Sequence, residues 1–300
     1  MKPVRCTMMA MAGRLSGIKE QREEKLEKLR GLGVVPYRQE TTRSQLIAEA
    51  RKSEGKQVVV VGRLMAVRGH GALGFMDLRD GSGQIQLVFK KDGLDEVVWQ
   101  IKELLDIGDF VEVGGKVFVT KAGEISVEVE GLRLLAKSMR PLPSSWHGFK
   151  DVEERYRQRY VDLILNPEVR KVFEARTKIV SCLRRFLDQK GFVEVETPVL
   201  QPIYGGATAR PFKTLHNALK SEYFLRISDE LYLKRLIVGG YEKVYEIAKV
   251  FRNEGIDKQH NPEFTMLEFY WAYADYEDLM EMSEEMLSGV VKEVTGGFEI

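Results

Sequence analysis

The sequence is poor in the residues that announce particular chemistries. Its 300 residues hold only two cysteines, Cys6 and Cys182, and four histidines. Two cysteines so far apart make neither a disulfide framework nor a metal-ligand spacing, and a reducing, cytoplasmic setting is the default expectation. No apolar run approaches the ~20 residues of a membrane-spanning helix, so no membrane partner is expected. Charge of one sign is also missing: 46 basic residues against 45 acidic leave a net charge of +1. Bulk charge therefore does not hold this chain to nucleic acid, although a local face still can. No GxxxxGK[ST] occurs, and no GxGxxG in a phosphate-binding context. A nucleotide would have to be held by side chains, with arginine the natural phosphate partner. The opening MKPVRCTMMAMAGRLSG is too short and too weakly apolar for a signal peptide and reads as a disordered tail.

What remains suffices for roughly two domains. Residues 1–55 read as the tail and a helix. Over 18–33, charges of both signs surround Leu26 and Leu29, Glu24 and Lys28 stand one turn apart, and Gly31 and Gly33 end the run. This is either a solvated surface helix or a basic stripe along an RNA backbone. Residues 56–136 change character. VVVVGRLMAVR, GFMDLRD, QIQLVF, DFVEVGGKVFVT and EISVEVEGLRLL are five short strands separated by turn residues, with one helix-like stretch over 94–105. An all-β barrel of the oligonucleotide-binding (OB) type fits this order. Such barrels stack bases on aromatics and pair base edges with polar groups. Phe75 and Gln86 offer those two chemistries on adjacent strands, unless Phe75 belongs to the core. The Pro- and Ser-rich AKSMRPLPSSWHGFK opens a linker over 137–155.

Residues 156–300 alternate helix and strand. Asn166 caps a helix with Pro167 at its first position, apolar residues from Val169 to Leu187 keep helical spacing, and Gly191 ends it. A strand, FVEVETP, leads into the loop YGGATARPF. A short strand over 223–227 precedes a helix capped by Ser228 or Asp229 and closed by Gly239 and Gly240. The last helix, 276–294, carries Leu279, Met282, Met286, Val290 and Val294 on one stripe. Between these helices, KVYEIAKVF and EFTMLEFYWAY flank a polar loop over 255–262, which makes a hairpin. An α+β domain with an antiparallel or mixed sheet fits better than a doubly wound one. Period-two alternation puts Phe264, Met266, Glu268 and Tyr270 on one face, and Arg252 and Glu254 on one parity. These charges either face water at an edge hairpin or converge on a site.

The barrel, the linker, GFVEVETPVLQPIYGGATARPF and FRNEGIDKQHNPEFTMLEFYWAYADY together resemble the bacterial type of the class II lysyl-tRNA synthetase family. The resemblance runs from about residue 18 to the end. It implies an OB-fold anticodon-binding domain followed by a class II catalytic domain built on an antiparallel sheet. The stretch 191–212 is similar to the family's motif 1, which implies a homodimer with Pro198 at its interface. The stretch 243–273 is similar to motif 2. Residue by residue, Arg252 would hold the α-phosphate of ATP, Glu254 and His260 would seat ATP, and Phe264 would stack on adenine. Glu230, Glu268 and Tyr270 would line the lysine pocket, with Gly206 packed close by. Phe75, Gln86 and Glu124 would read the anticodon of lysine tRNA. The implied reaction is ATP-dependent activation of L-lysine and its transfer to that tRNA. An ammonium substrate asks for carboxylates, and a site built on polar pairing rejects analogues that lack it by ~10⁴-fold or more.

The same resemblance implies that motif 3, with a second ATP-binding arginine and the acidic ligands of Mg²⁺, follows residue 300. The catalytic domain is therefore expected to be incomplete here, and little adenylate is expected from these residues alone. The other reading is a non-catalytic tRNA- or RNA-binding OB module beside a degenerate synthetase domain.

Overall fold

The computed structural model describes residues 3–143, 151–257 and 259–298. The chain divides into two compact units, Met1–Val161 and Asp162–Ile300. The centre of the expected linker, residues 144–150, lies outside the described residues.

The first unit opens with α1 (Pro3–Gly31) and the short α2 (Ile47–Ala50). Five strands follow: β1 (Gln57–His70), β2 (Leu73–Arg79), β3 (Gln84–Lys90), β4 (Phe110–Val119) and β5 (Ile125–Ala136). Helix α3 (Glu96–Glu103) lies between β3 and β4, capped by the Asp95 carboxylate, which accepts from the Val97 and Val98 amides. The strands close in the order β1-β2-β3-β5-β4. Closure depends on β1 serving two neighbours, with residues 57–63 on β4 and 63–70 on β2. The strand must coil where it changes partner. Gly62 stands there, and a Cβ on it would lie 2.4 Å from the Arg79 carbonyl oxygen. The parallel pairing of β3 with β5 closes the ring. Alternate residues such as Met76, Leu78, Ile85, Leu87, Val113 and Leu134 fill the interior.

Two expectations change here. The tail does not stay unstructured, because α1 starts at Pro3; the Met/Ala-rich opening has high helix propensity. Nor is the helix merely solvated. Leu29 is fully buried in the barrel core, and Arg22 is buried with its guanidinium donating to the carbonyls of Ile107, Ser138 and Arg140. Among the described residues, the ion pairs along α1 are Lys19–Glu23 and Glu27–Arg30, not Glu24–Lys28. The first linker residues are likewise tied down. Lys137 Nζ lies 2.8 Å from Asp109 Oδ2, with both side chains fully buried, and it also pairs with Asp106. Burial works to raise the Asp106 carboxyl, but hydrogen bonds from Lys137 and Lys25 prevail and hold it below the usual carboxylate range.

Helices α4 (Val152–Arg157) and α5 (Arg159–Leu165) lead into the second unit. It contains α6 (Pro167–Gln189), β6 (Val193–Glu194), β7 (Leu200–Gln201), β8 (Lys213–His216), β9 (Ser221–Leu225), α7 (Glu230–Val238), β10 (Lys243–Phe251), β11 (Glu263–Trp271) and α8 (Tyr276–Thr295). The expected hairpin is β10–β11, paired without a break from Lys243↔Trp271 to Phe251↔Glu263. Strand β6 adds to β10 in parallel, so this sheet is mixed, while β7-β9-β8 is antiparallel. The predicted strand FVEVETP shrinks to two residues, because the chain beyond Val195 turns Thr197 onto the Glu246 carboxylate. Asn166 precedes α6 but does not cap it; its amide donates to Asp162 Oδ1 at 2.6 Å. One face of the hairpin, through Tyr245, packs on Leu187, Phe192 and Met282 from α6, its C-terminal turn and α8. Its other face holds the polar groups.

Candidate functional site

The even-numbered face of the hairpin carries Val244, Glu246, Ala248 and Val250 opposite Tyr270, Glu268, Met266 and Phe264. Glu246 and Glu268 are directly opposite, an arrangement of like charges that destabilises a sheet unless neutralised. Arg226, buried just after β9, resolves it. It donates to Glu246 Oε1 at 2.7 Å, to the Thr197 carbonyl and hydroxyl, and to the Lys249 carbonyl. Thr197 Oγ1 in turn donates to Glu246 Oε2 at 2.6 Å. Glu246 is thereby saturated, and Glu268 is left as the carboxylate that faces the site.

Glu268 accepts from Ser228 Oγ at 2.8 Å and from the Tyr270 hydroxyl at 3.3 Å. Burial, with the Glu268 and Glu230 charges behind it, raises the Tyr270 pKa above its ordinary value and keeps the phenol a donor. Ser228 Oγ also accepts from the Glu230 amide at 3.1 Å, so the serine caps α7. Asp229 occupies the N-cap position, yet its side chain makes no capping bond. Glu230, half-buried, pairs with Lys234 at 2.7 Å. The loop between β7 and β8 closes over this group. Gly206 adopts φ +87°, and a Cβ there would lie 2.8 Å from both Ser228 Oγ and Glu230 Cβ. The structure thus brings Gly206, Glu230, Glu268 and Tyr270 together, with Ser228 as the joint between them.

At the open end of the hairpin, the Arg252 guanidinium sits 5.2 Å from the centre of the Phe264 ring. Its Nε is buried and has no hydrogen-bond partner among the described residues. A planar cation beside an aromatic ring, with a donor free, is suited to an anionic group attached to a flat one. Glu254 is exposed, and its Oε1 accepts from the Arg210 amide at 3.3 Å, while the Asn253 amide donates to the Arg210 carbonyl at 2.7 Å. His260 bonds within its own loop. Its ring Nδ1 is 2.8 Å from Asp257 Oδ2, and that carboxyl also accepts from the Gln259 and His260 amides. Pro198 is exposed, two residues before β7. Sequence reasoning missed Arg226, Asp229 and Glu246. All three are buried charged residues on or beside regular elements, where the alternation gives them no mark.

In the barrel, Phe75 is not core. It is half-buried on the outer face of β2, between the inward-facing Gly74 and Met76, and opposite Arg68 on β1. Asp77, on the same face, stands opposite Gln86 on β3. An open cavity of about 420 Å³ is lined by Gln86 and Glu124 together with Arg51, Arg68, Asp77 and Gln84. Gln86 Oε1 accepts from Ser126 Oγ at 3.0 Å, Arg68 pairs with Asp77 at 2.6 Å and Arg51 with Glu124 at 3.5 Å. Among the described residues no group of three or more His, Cys, Asp or Glu is arranged to hold a metal ion. Among the described residues, therefore, no side-chain set fits the Mg²⁺ that the resemblance implies. No described helix is long and apolar enough to cross a membrane.

Residues 151–300 match the family model described as tRNA synthetases class II (D, K and N), and residues 58–135 match the OB-fold nucleic acid binding domain. The chain is 52% identical over 290 residues to a lysine–tRNA ligase of Syntrophomonas wolfei, covering 95% of this chain and 59% of the relative. It is 54% identical over 279 residues to that of Moorella thermoacetica, covering 92% and 57%. It is 53% identical over 294 residues to that of a Roseiflexus species, covering 95% and 60%. The chain thus spans about three-fifths of the length of these relatives.

Proposed function

The chain belongs to the class II tRNA synthetases (D, K and N), and from that premise we propose that it is the part of a lysine–tRNA ligase carrying the amino-acid pocket and the first half of the ATP site. The observation that carries this reading is the carboxylate cluster on the hairpin. Glu268, held by Ser228 and Tyr270, and Glu230 beside it offer negative charge where a lysine ammonium would arrive. An aspartate- or asparagine-specific pocket needs a cationic or neutral group at such a place. Arg252, with Phe264 beneath it, takes the α-phosphate and adenine of ATP, and Glu254 and His260 seat the nucleotide from the loop. An oxygen of the lysine carboxylate attacks the α-phosphorus; the bond to pyrophosphate breaks and the pair of electrons leaves with it. Charge growing on the non-bridging oxygens is met by Arg252, which needs no reorganisation to do so. No step is assigned to Mg²⁺.

The barrel, over 56–136, is the anticodon reader, with Phe75 for stacking and Gln86 and Glu124 for base edges. Residues 156–300 form the catalytic part, joined to it by 137–155. Pro198 serves a homodimer interface, and the setting is cytoplasmic. Lysine-dependent ATP–pyrophosphate exchange tests the reading, and exchange supported by aspartate but not by lysine overturns it. Glu268→Gln is expected to lower lysine affinity while ATP affinity stays nearly level. Equal losses for the two would place Glu268 outside the ammonium subsite.

A further inference from the structure

Four carboxyl groups gather on and beside the even face of the hairpin, and three of them have partners that donate to them. Glu246 on β10 is matched by Arg226 and Thr197, Glu268 on β11 by the hydroxyls of Ser228 and Tyr270, and Glu230 on α7 by Lys234. The fourth, Asp229, is completely buried; among the described residues no donor reaches either of its oxygens, and the polar group it faces is the Glu268 carboxylate, which can share a proton with it but cannot neutralise it. A buried carboxylate with no partner does not persist as a bare anion; it takes up a proton or waits for a cation. The cations nearby are already committed: Arg226 to Glu246 and Lys234 to Glu230.

We propose that Asp229 is the proton-exchanging member of the amino-acid pocket, protonated while the pocket is empty and ionised once a cationic side chain enters. Its proton then passes to solvent, and the entering ammonium faces one more negative charge than the empty pocket carries. The inference rests on the reading of this pocket as a lysine site. Burial first, and then the facing Glu268 carboxylate with Glu246 behind it, raise the Asp229 pKa to about 7. An entering ammonium pulls the value back down. Lysine affinity therefore rises with pH below about 7 and levels off above it, because the bound state holds fewer protons than the free one.

Calorimetry of lysine binding to the chain, in two buffers of different ionisation enthalpy, tests this. At about pH 6 close to one proton is expected to be released per lysine bound, with affinity rising up to about tenfold per pH unit between about pH 5 and 7. In Asp229→Asn both the release and the slope should vanish. Lysine binding without proton exchange, or with an exchange that survives in Asp229→Asn, overturns the inference and leaves the lysine reading standing. No lysine binding at any pH overturns that reading, and the inference with it. Should Asp229→Asn fail to fold, the pH slope of the unsubstituted chain decides, and a flat profile between about pH 5 and 7 overturns the inference.

Discussion

The first unit buries Asp109 and Lys137 as a completed pair, whereas the second buries Asp229 facing another carboxylate, Glu268, with no donor on either oxygen among the described residues. The barrel treats other internal charge in the same way. Glu112 accepts from the Thr42 amide at 2.7 Å and pairs with Arg133, and Asp106 is shared between Lys25 and Lys137. Its exchangeable polar groups, Gln86 and Glu124 among them, stand on the outer surface around an open cavity. The second unit instead keeps its incomplete groups inside: the Asp229 carboxyl and the Arg252 Nε. Under the proposed function, the difference is one of where recognition takes place. A surface that reads an extended polymer can be assembled on a finished scaffold. A pocket that must exclude water from a small charged ligand has to leave its own buried groups unsatisfied until the ligand arrives.

The contrast breaks most visibly if a completed pair is opened. Lys137→Met leaves the buried Asp109 with the Asp106 and Ser138 amides but no cation, and it should destabilise the barrel by about 3–5 kcal/mol, read from hydrogen exchange of the β1–β4 amides. A loss under about 1 kcal/mol would mean that the pair is not shielded as its burial indicates. The opposite substitution is next in size. The Asp229 pKa is raised from 3.8 to about 7, so between those values the folded chain holds a proton that the unfolded chain has released. Its contribution to stability is fully present below about pH 4 and lost as pH rises through about 7. Asp229→Asn should remove this slope and stabilise the second unit by about 2–4 kcal/mol at pH 8 relative to the parent chain, measured as thermal unfolding across pH. Phe264→Ala should weaken ATP binding by about 1–3 kcal/mol through loss of stacking, with lysine affinity unchanged in direct titrations. Smallest in stability is Glu124→Gln. Its exposed pair with Arg51 is worth at most about 1 kcal/mol, so unfolding should barely move, while affinity for the anticodon loop of lysine tRNA falls.

The parts legible in the sequence were those in which one local rule decides the outcome. The β10–β11 hairpin follows from two aromatic-rich runs around a polar loop, and the residues that share a face follow from period two. The five-strand barrel follows from turn residues at regular spacing. Asp229 was not legible as a buried acid, because an aspartate ahead of ELYLKRL looks like a helix cap; Ser228 takes that role and frees the aspartate to turn inward. Arg22 and Lys137 looked like members of a solvated helix and a linker. Their burial depends on carbonyls and carboxylates about a hundred and about thirty residues away in the chain, respectively, and no periodicity reports such partners. Phe75 was ambiguous between core and surface until the inward set, with Gly74 and Met76, was fixed by closure of the barrel.

Arg226 and Glu246 also constrain how this protein can change over time. Losing either alone strands a buried charge, a step that costs about 3–5 kcal/mol, whereas exchanging both for apolar residues of similar size can be close to neutral. Any lineage that abandons the pair must therefore cross an intermediate worse than either end point. In that lineage the two substitutions would show strong sign epistasis. Thr197, which bonds to both members of the pair, would be free to diversify only once both changes were in place.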